Sequence, residues 1–291
     1  MSDWPAIAER IAAATGQPFV PRRQTAVSGG CINRAAVLAD RERAFFVKLN
    51  SVDRLAMFEA EAEGLRELRA AESIRVPEPI CTGVVGGQAY LVMEHVALDG
   101  RLDGAEAGRR LARLHRHTAS RFGWHRDNTI GATPQHNDWR DDWVSFWGEQ
   151  RLGFQLDLAA RQGHGRDLVA VGERLRARLG DLIGHRPDVA LLHGDLWGGN
   201  IGATATGEPV IFDPAVYYGD READIAMTEL FGGFGSAFYA AYREAWPLPP
   251  AYETRKTLYN LYHVLNHLNL FGGGYLAQAR GMIERLLAAV R

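Results

Sequence analysis

The sequence is poor in cysteine and in lysine. Only Cys31 and Cys81 are cysteines, too few for a disulfide framework or a thiolate metal site. Of the 33 basic residues only Lys48 and Lys256 are lysines, and the rest are arginines. A GC-rich coding bias explains such scarcity in general. Against that background, a position that keeps lysine is expected to need a compact ammonium group.

The chain also lacks long apolar runs and clusters of positive charge. No segment approaches the roughly 20 uninterrupted apolar residues of a membrane-spanning helix, and residues 1–7 have no signal-peptide pattern. The net charge of -2, without a basic run, argues against nucleic acid or an anionic membrane as the main partner. These absences predict a cytoplasmic protein.

Hydrophobic patterning divides the chain into a β-rich first third and a mainly helical remainder. One amphipathic helix over 54–71 interrupts strand-like runs at 24–27, 32–38, 44–49, 80–85 and 89–96. Later helical stripes fall at 105–117, 141–162, 167–183, 221–231, 252–270 and 275–290, with short strands at 190–193 and 209–212. The pattern predicts an α+β fold with two lobes, 1–97 and 98–291.

The strongest motif is the octapeptide His-Gly-Asp-Leu-Trp-Gly-Gly-Asn at residues 193–200. Asp195 and Asn200 have the D-x-x-x-x-N spacing of a kinase catalytic loop, in which the aspartate accepts the proton of the acceptor hydroxyl and the asparagine binds metal. Asp213 follows the next predicted strand and is the candidate for the main Mg²⁺ ligand, because a carboxylate suits this hard cation. The motif therefore predicts phosphoryl transfer from ATP with Mg²⁺.

Lys48 lies in the third predicted strand, where a lysine would reach the α- and β-phosphates of ATP. Its expected partner is a glutamate of the following helix, and Glu59, Glu61 and Glu63 are all within reach. Glu61 is favoured because it starts an E-x-x-x-L-x-x-L pattern beside the apolar stripe of that helix.

Two further segments are candidates for nucleotide contacts. In the turn between the first two strands, backbone N–H groups can approach phosphates closely, and the residues proposed to do so are Gly29, Gly30, Cys31 and Asn33. In the segment joining the lobes, Met93 would lie at the back of an adenine pocket, with the Glu94 carbonyl and the Val96 N–H bonded to the base. The alternative for that segment is an ordinary inner strand. Each motif alone has a structural explanation, and their joint occurrence in order carries the prediction.

The acceptor site is less strongly marked. Trp197 follows Asp195 by two residues and either lays its ring against a sugar or packs internally. Asp220 and Glu222 are either structural or close to the substrate amine. His263 and His267 have the i, i+4 spacing of a metal pair, but without a third ligand they are interpreted as structural or pocket-lining.

Several segments together resemble the fructosamine kinase (ketosamine-3-kinase) family, in the aminoglycoside- and choline-kinase-like branch of the protein-kinase fold. They span nearly the whole chain, at residues 29–33, 57–61, 74–77, 122–124, 127–128, 143–144, 193–200, 213–215, 218–222 and 261–275. The resemblance implies a bilobal protein-kinase-like fold and ATP-dependent phosphorylation of sugars joined to amines as ketosamines, on the O3 hydroxyl, after which the product sheds its sugar. It also implies that Asp224 steadies the catalytic loop. The resemblance, together with the positive field of the backbone N–H groups in the glycine turn, favours a redox-responsive Cys31. The protein is then expected to be a monomer or a redox-dependent homodimer.

Two alternatives remain open. One is a kinase of the same fold for an aminoglycoside, choline or homoserine, against which residues 261–275 speak. The other is a pseudokinase that binds nucleotide without turnover, against which the complete set Lys48, Asp195, Asn200 and Asp213 speaks. Gly194 replaces the arginine that reads a phosphorylated activation loop, and no A-P-E segment follows Asp213, so a small-molecule acceptor is favoured over a peptide.

Overall fold

The computed structural model describes residues 3–27, 32–164 and 166–290. Its strands, in chain order, are β1 (Arg23–Val27), β2 (Arg34–Ala39), β3 (Ala44–Ser51), β4 (Pro79–Val85), β5 (Gln88–Glu94), β6 (Asn128–Ile130), β7 (Thr133–Gln135), β8 (Ala190–Leu192), β9 (Ile201–Ala203), β10 (Pro209–Ile211) and β11 (Tyr217–Gly219). Its α-helices are α1 (Trp4–Thr15), α2 (Leu55–Ala70), α3 (Gly104–Leu114), α4 (Trp143–Phe146), α5 (Phe154–Arg161), α6 (Arg166–Arg176), α7 (Leu179–Ile183), α8 (Glu222–Leu230), α9 (Ser236–Ala245), α10 (Tyr252–Phe271) and α11 (Leu276–Ala289).

The chain forms two compact units, residues 1–103 with 202–214 and residues 104–201 with 215–291. The expected boundary between the lobes, after residue 97, assigns residues 202–214 to the second lobe. In the structure that segment pairs with the first unit, since the Gly100 N–H donates to the Ala203 carbonyl at 3.1 Å and the Ile211 N–H to the Arg75 carbonyl at 3.0 Å.

The first unit is built on an antiparallel sheet in the order β1-β2-β3-β5-β4. Helix α1 is capped at its start by Asp3, whose side chain accepts the Ala6 N–H, and after its end by Gly16 in the left-handed conformation. Its apolar positions Ile7 and Ile11, one helical turn apart, pack in one core cluster with β2, β3 and β5. Helix α2 carries Glu61 on the same side as the buried Leu65 and Leu68.

The second unit is organised around α10, which is buried on nearly every side. Its residues Leu258, Leu261, Leu265 and Leu268 have no exposed surface, as expected of a helix that other helices surround. Among the described residues, no helix has both the length and the apolar character needed to cross a membrane.

Several elements differ from the sequence-based expectation. The helix expected over 141–162 is divided by a π-helical segment, Trp147–Gly153, between α4 and α5. The helix expected over 167–183 stops at Arg176 and resumes as α7. Helix α9 and the three-residue strands β6, β7, β9 and β11 were not predicted. Strands so short show no periodicity, and the two that were expected, β8 and β10, are marked by being apolar throughout.

Candidate active site

Lys48 lies in the middle of the first unit's sheet, with its ammonium between two carboxylates. Its Nζ is 2.5 Å from Glu61 Oε1 and 2.7 Å from Asp213 Oδ1. Its backbone is fixed on both sides, because it pairs in register with Ala35 on β2 and Leu91 on β5. The structure therefore brings three of the predicted site residues together, and it places Glu61 in the position expected of the lysine's partner.

The charge balance of this cluster favours a permanent cation. Burial alone would lower the pKa of Lys48, of which only 5% is exposed, but the charges and hydrogen bonds of Asp213 and Glu61 outweigh it and raise the pKa. Lys48 therefore keeps its proton at neutral pH.

Asp213 differs from Glu61 in its access to solvent. Its side chain is 45% exposed, whereas that of Glu61 is 11% exposed. Asp213 also has a left-handed backbone, with φ of 57°, which a residue with a Cβ adopts at an energetic cost. From this position, two residues beyond β10, Asp213 directs one carboxylate oxygen to Lys48. Its carboxylate stays accessible to solvent.

Asp195 and Asn200 are joined within the loop that follows β8 in the second unit. The side-chain nitrogen of Asn200 donates to the Asp195 carbonyl at 2.8 Å and to Asp195 Oδ2 at 3.3 Å. The Asn200 N–H also donates to the Trp197 carbonyl at 2.9 Å, which closes the loop into a tight turn. Asn200 therefore orients the carboxylate that the sequence identifies as the proton acceptor.

Asp224, on α8, binds the backbone at the start of this loop. Its carboxylate accepts the backbone N–H of His193 at 2.7 Å and that of Gly194 at 2.8 Å. His115 Nε2 lies 3.2 Å from the same carboxylate, and His115 Nδ1 lies 2.8 Å from the Tyr242 hydroxyl. Burial alone would raise the pKa of Asp224, but these hydrogen bonds and the nearby histidines lower it.

Gly194 has a conformation that no other residue adopts easily. Its φ is +83°, and an added Cβ would lie 2.0 Å from the Ala215 carbonyl oxygen. The Ala215 N–H donates to the His193 carbonyl at 2.8 Å, so the two chain segments are in contact at this point. Glycine is therefore required here by the backbone itself.

The predicted nucleotide contacts are only partly described. Gly29, Gly30 and Cys31 lie outside the described residues. Asn33 accepts a hydrogen bond from the side chain of Asn50 at 2.7 Å, which ties the end of the turn to β3.

The segment proposed to bind adenine forms and follows β5. Met93 is buried in the sheet, and the Glu94 side chain forms an ion pair with Arg75 at 2.6 Å. Val96 lies just beyond the strand and is half-buried, and its N–H has no hydrogen-bond partner in the described part of the chain. Such an N–H is suited to a base edge.

The three candidate acceptor residues have different surroundings. Trp197 is 39% exposed, and its ring lies over Gly199, where an added Cβ would come within 2.3 Å of it. Glu222 is buried and forms two hydrogen bonds with Arg255, at 2.6 and 2.9 Å.

Asp220 is equally buried. It accepts the Tyr259 hydroxyl at 2.6 Å, and His185 Nε2 lies 3.2 Å from it. These contacts favour the structural alternative for both Asp220 and Glu222.

Mg²⁺ fits the oxygen donors that are present. In the described ranges, no group of three or more His, Cys, Asp or Glu side chains is arranged to hold a metal ion. Mg²⁺ does not need one, because it keeps waters and binds phosphate oxygens together with one or two protein groups. The exposed Asp213 carboxylate is a hard donor of this kind. The amide nitrogen of Asn200 is bonded to Asp195, so its amide oxygen is the atom suited to a cation.

Comparison with known proteins extends over the whole chain. The family model for fructosamine kinase matches residues 3–289. A Synechocystis protein provisionally named a ketoamine kinase is 51% identical, over 98% of this chain and 97% of its own length. The chloroplastic protein-ribulosamine 3-kinase of Arabidopsis thaliana is 44% identical, over 91% of this chain and 82% of its own length.

Solved structures confirm the predicted α+β, protein-kinase-like fold. A crystal structure from Haemophilus somnus 129PT, provisionally described as a fructosamine-3-kinase, has a TM-score of 0.90 at 29% identity, covering 98% of this chain and 97% of that one. The choline kinase LicA of Streptococcus pneumoniae has a TM-score of 0.67 at 15% identity, covering 98% of this chain and 99% of that one, and shares the fold alone.

Proposed function

Because this chain belongs to the fructosamine kinase family, we propose that it transfers the γ-phosphoryl group of ATP to the O3 hydroxyl of a ketosamine. Relatives named ketoamine kinase and protein-ribulosamine 3-kinase support this acceptor class. The observation that carries the proposal is the Lys48 ammonium bonded to both Glu61 and Asp213. In phosphoryl transfer a protein mainly positions phosphates and neutralises charge.

Each residue of the nucleotide site has a distinct part in this proposal. Lys48 binds the α- and β-phosphates as a cation, and Glu61 fixes its position from α2. Asp213 and Asn200 are the residues that would hold Mg²⁺, which when bound neutralises charge on the phosphates. The Val96 N–H and the Glu94 carbonyl would bond the adenine edge.

Asp195 receives the proton of the sugar hydroxyl as the oxygen attacks phosphorus. Asn200 holds the carboxylate by its side chain, and Asp224 holds the backbone just before it. Trp197 exposes its ring two residues further on, where the apolar face of a sugar can stack. The phosphorylated product would then shed its sugar and return the amine.

The test is a panel of acceptors, ranked by kcat/KM with Mg·ATP. Ribulose, erythrulose and fructose adducts of lysine should be phosphorylated, whereas choline, kanamycin and homoserine should not. Asp195→Asn is the matched control, because it keeps the shape and lacks the proton acceptor, and its turnover should be lower by about 10²–10⁴-fold with ATP binding retained. Better activity on kanamycin than on every ketosamine would assign the chain to antibiotic kinases. ATP binding without turnover on any acceptor would support the pseudokinase alternative.

A further inference from the structure

Five aromatic side chains in the second unit form a continuous surface that begins at the catalytic loop. Trp197 meets Phe231 edge-to-face, with ring centroids 6.1 Å apart. Phe231 meets His267 at 5.2 Å, and His267 in turn contacts Phe271 at 5.5 Å and Tyr275 at 5.2 Å. We name this set, Trp197, Phe231, His267, Phe271 and Tyr275, the aromatic shelf.

Three members of the shelf, Trp197, Phe231 and Phe271, are large apolar side chains that are nevertheless exposed. Phe231 is 41% and Phe271 57% exposed, and His267 links their rings into one patch with Trp197, whereas isolated apolar side chains on a surface need no explanation. The backbone around the rings consists largely of glycine and leaves them uncovered. An added Cβ would meet no atom within 4 Å at Gly198, Gly232, Gly235, Gly272, Gly273 or Gly274.

The chemistry of the shelf favours a cation with a hydrocarbon chain. Aromatic faces carry negative charge density and attract alkylammonium groups. His267 adds one directional group, since its Nδ1 lies 2.7 Å from the His263 carbonyl, to which it donates. In the neutral ring that bond makes Nε2 an acceptor, suited to an N–H of an ammonium.

We propose that the aromatic shelf beyond Trp197 binds the amine-side half of the acceptor, a secondary alkylammonium, and so determines which amines the enzyme serves. This inference rests on the proposed function, in which the sugar half must lie at Asp195. The amine half of a ketosamine carries both the positive charge and the alkyl chain. Continuity with Trp197 allows one molecule to occupy the sugar position and the shelf. A carboxylate next to the amine would be repelled by the ring faces, so adducts of free α-amino acids should be poor substrates.

The experiment varies the amine and keeps the sugar constant. Ribulose adducts of ammonia, ethylamine, butylamine, hexylamine and glycine are compared by kcat/KM in wild type, Phe231→Leu, Phe271→Ala and Val20→Ala. Val20 is an exposed apolar residue of the first unit and serves as the matched control. In wild type, kcat/KM should rise about twofold for each added methylene. In free energy this is about half the gain expected when a methylene is completely buried. The glycine adduct should be the poorest substrate.

The variants separate the shelf from the catalytic centre. Phe271→Ala should flatten the chain-length dependence, with its smallest effect on kcat/KM for the ammonia adduct, which has no alkyl chain. Phe231→Leu keeps apolar area and loses the ring charge distribution. It should therefore reduce the preference for the alkylamine adducts over the glycine adduct, which carries a carboxylate. Val20→Ala should behave as wild type. If wild type is active and the dependence of kcat/KM on chain length is the same in Phe271→Ala, the shelf does not bind the amine half. The proposed function would stand.

A second measurement is independent of turnover. Hexylammonium alone is titrated into each protein, and broadening of its proton NMR signals reports binding. Wild type and Val20→Ala should bind it, and Phe271→Ala should bind it several-fold more weakly. If no ketosamine is phosphorylated but this pattern holds, the proposed function fails and the shelf remains a cation site. Equal broadening by all the proteins would overturn the inference.

Discussion

Asp224 Oδ1 accepts the backbone N–H of Gly194 at 2.8 Å, one residue before the proposed proton acceptor. Its other oxygen accepts the N–H of His193 at 2.7 Å, so a single buried carboxylate determines where the loop starts. The family resemblance implied this role for Asp224. His115 and Tyr242, which extend the network, have no sequence spacing that links them to the loop.

Asp224→Asn should lower kcat by about 10–10²-fold, because the new amide N–H₂ faces a backbone donor and a charge-assisted hydrogen bond is lost. The KM for ATP should change little. Steady-state kinetics and thermal melting check this, with Asp181→Asn, which removes an exposed ion pair with Arg178, as the control. A variant that loses only thermal stability and keeps kcat would show that Asp224 acts on folding alone.

Lys48→Arg should abolish most turnover and weaken Mg·ATP binding. The cluster holds a compact ammonium within 2.7 Å of two carboxylates, and a planar guanidinium needs a wider site. The matched control is Lys256→Arg, because Lys256 also contacts two glutamates, Glu229 and Glu253, but is partly exposed. It should retain near-normal turnover. Equal activity of the two variants would mean that the scarcity of lysine reflects coding bias alone.

The sequence predicted the groups whose chemistry is marked by type and spacing, and missed those defined by packing. Lys48 was singled out by its place in the third predicted strand and by the scarcity of lysine in this chain, and Glu61 because it borders an apolar stripe. The burial of Glu222 depends on Arg255, which lies on a helix much later in the chain. Long-range ion pairs of this kind leave no local pattern. Helix α9 was missed for a different reason, because it follows a glycine-rich segment that obscures its start.

Cys81 should be unreactive toward oxidants and alkylating agents. Burial raises the pKa of its thiol to about 11, so almost no thiolate forms at neutral pH. The predicted redox response of Cys31 lies outside the described residues and stays a prediction. Under peroxide, wild type and Cys81→Ala should lose activity alike and recover it with thiol reductant, whereas Cys31→Ala should be insensitive. Activity assays and non-reducing gels measure both effects. If the Cys81→Ala enzyme resists peroxide, the redox response belongs to Cys81 and the assignment to Cys31 is wrong.

His263 should make the protein less stable as the pH falls below neutrality. Burial among α10 and its neighbours, with His267 nearby, lowers the pKa of His263 from 6.5 to about 3. Between these two values the unfolded chain binds a proton that the folded chain does not, so the free energy of unfolding decreases as the pH falls through this window. From pH 7 to pH 4.5 this one group should contribute a loss of about 2–3 kcal/mol.

The effect can be isolated by substitution, because other groups also titrate in this range. His263→Gln removes the titration and keeps a polar side chain of similar size, so its loss of unfolding free energy between pH 7 and pH 4.5 should be smaller by about 2–3 kcal/mol. Urea unfolding at the two pH values measures this difference. His117→Gln is the control, since it makes the same substitution at an exposed histidine. If the wild type and His263→Gln lose the same stability, the folded chain binds a proton at His263 as readily as the unfolded chain does, and other groups cause the loss.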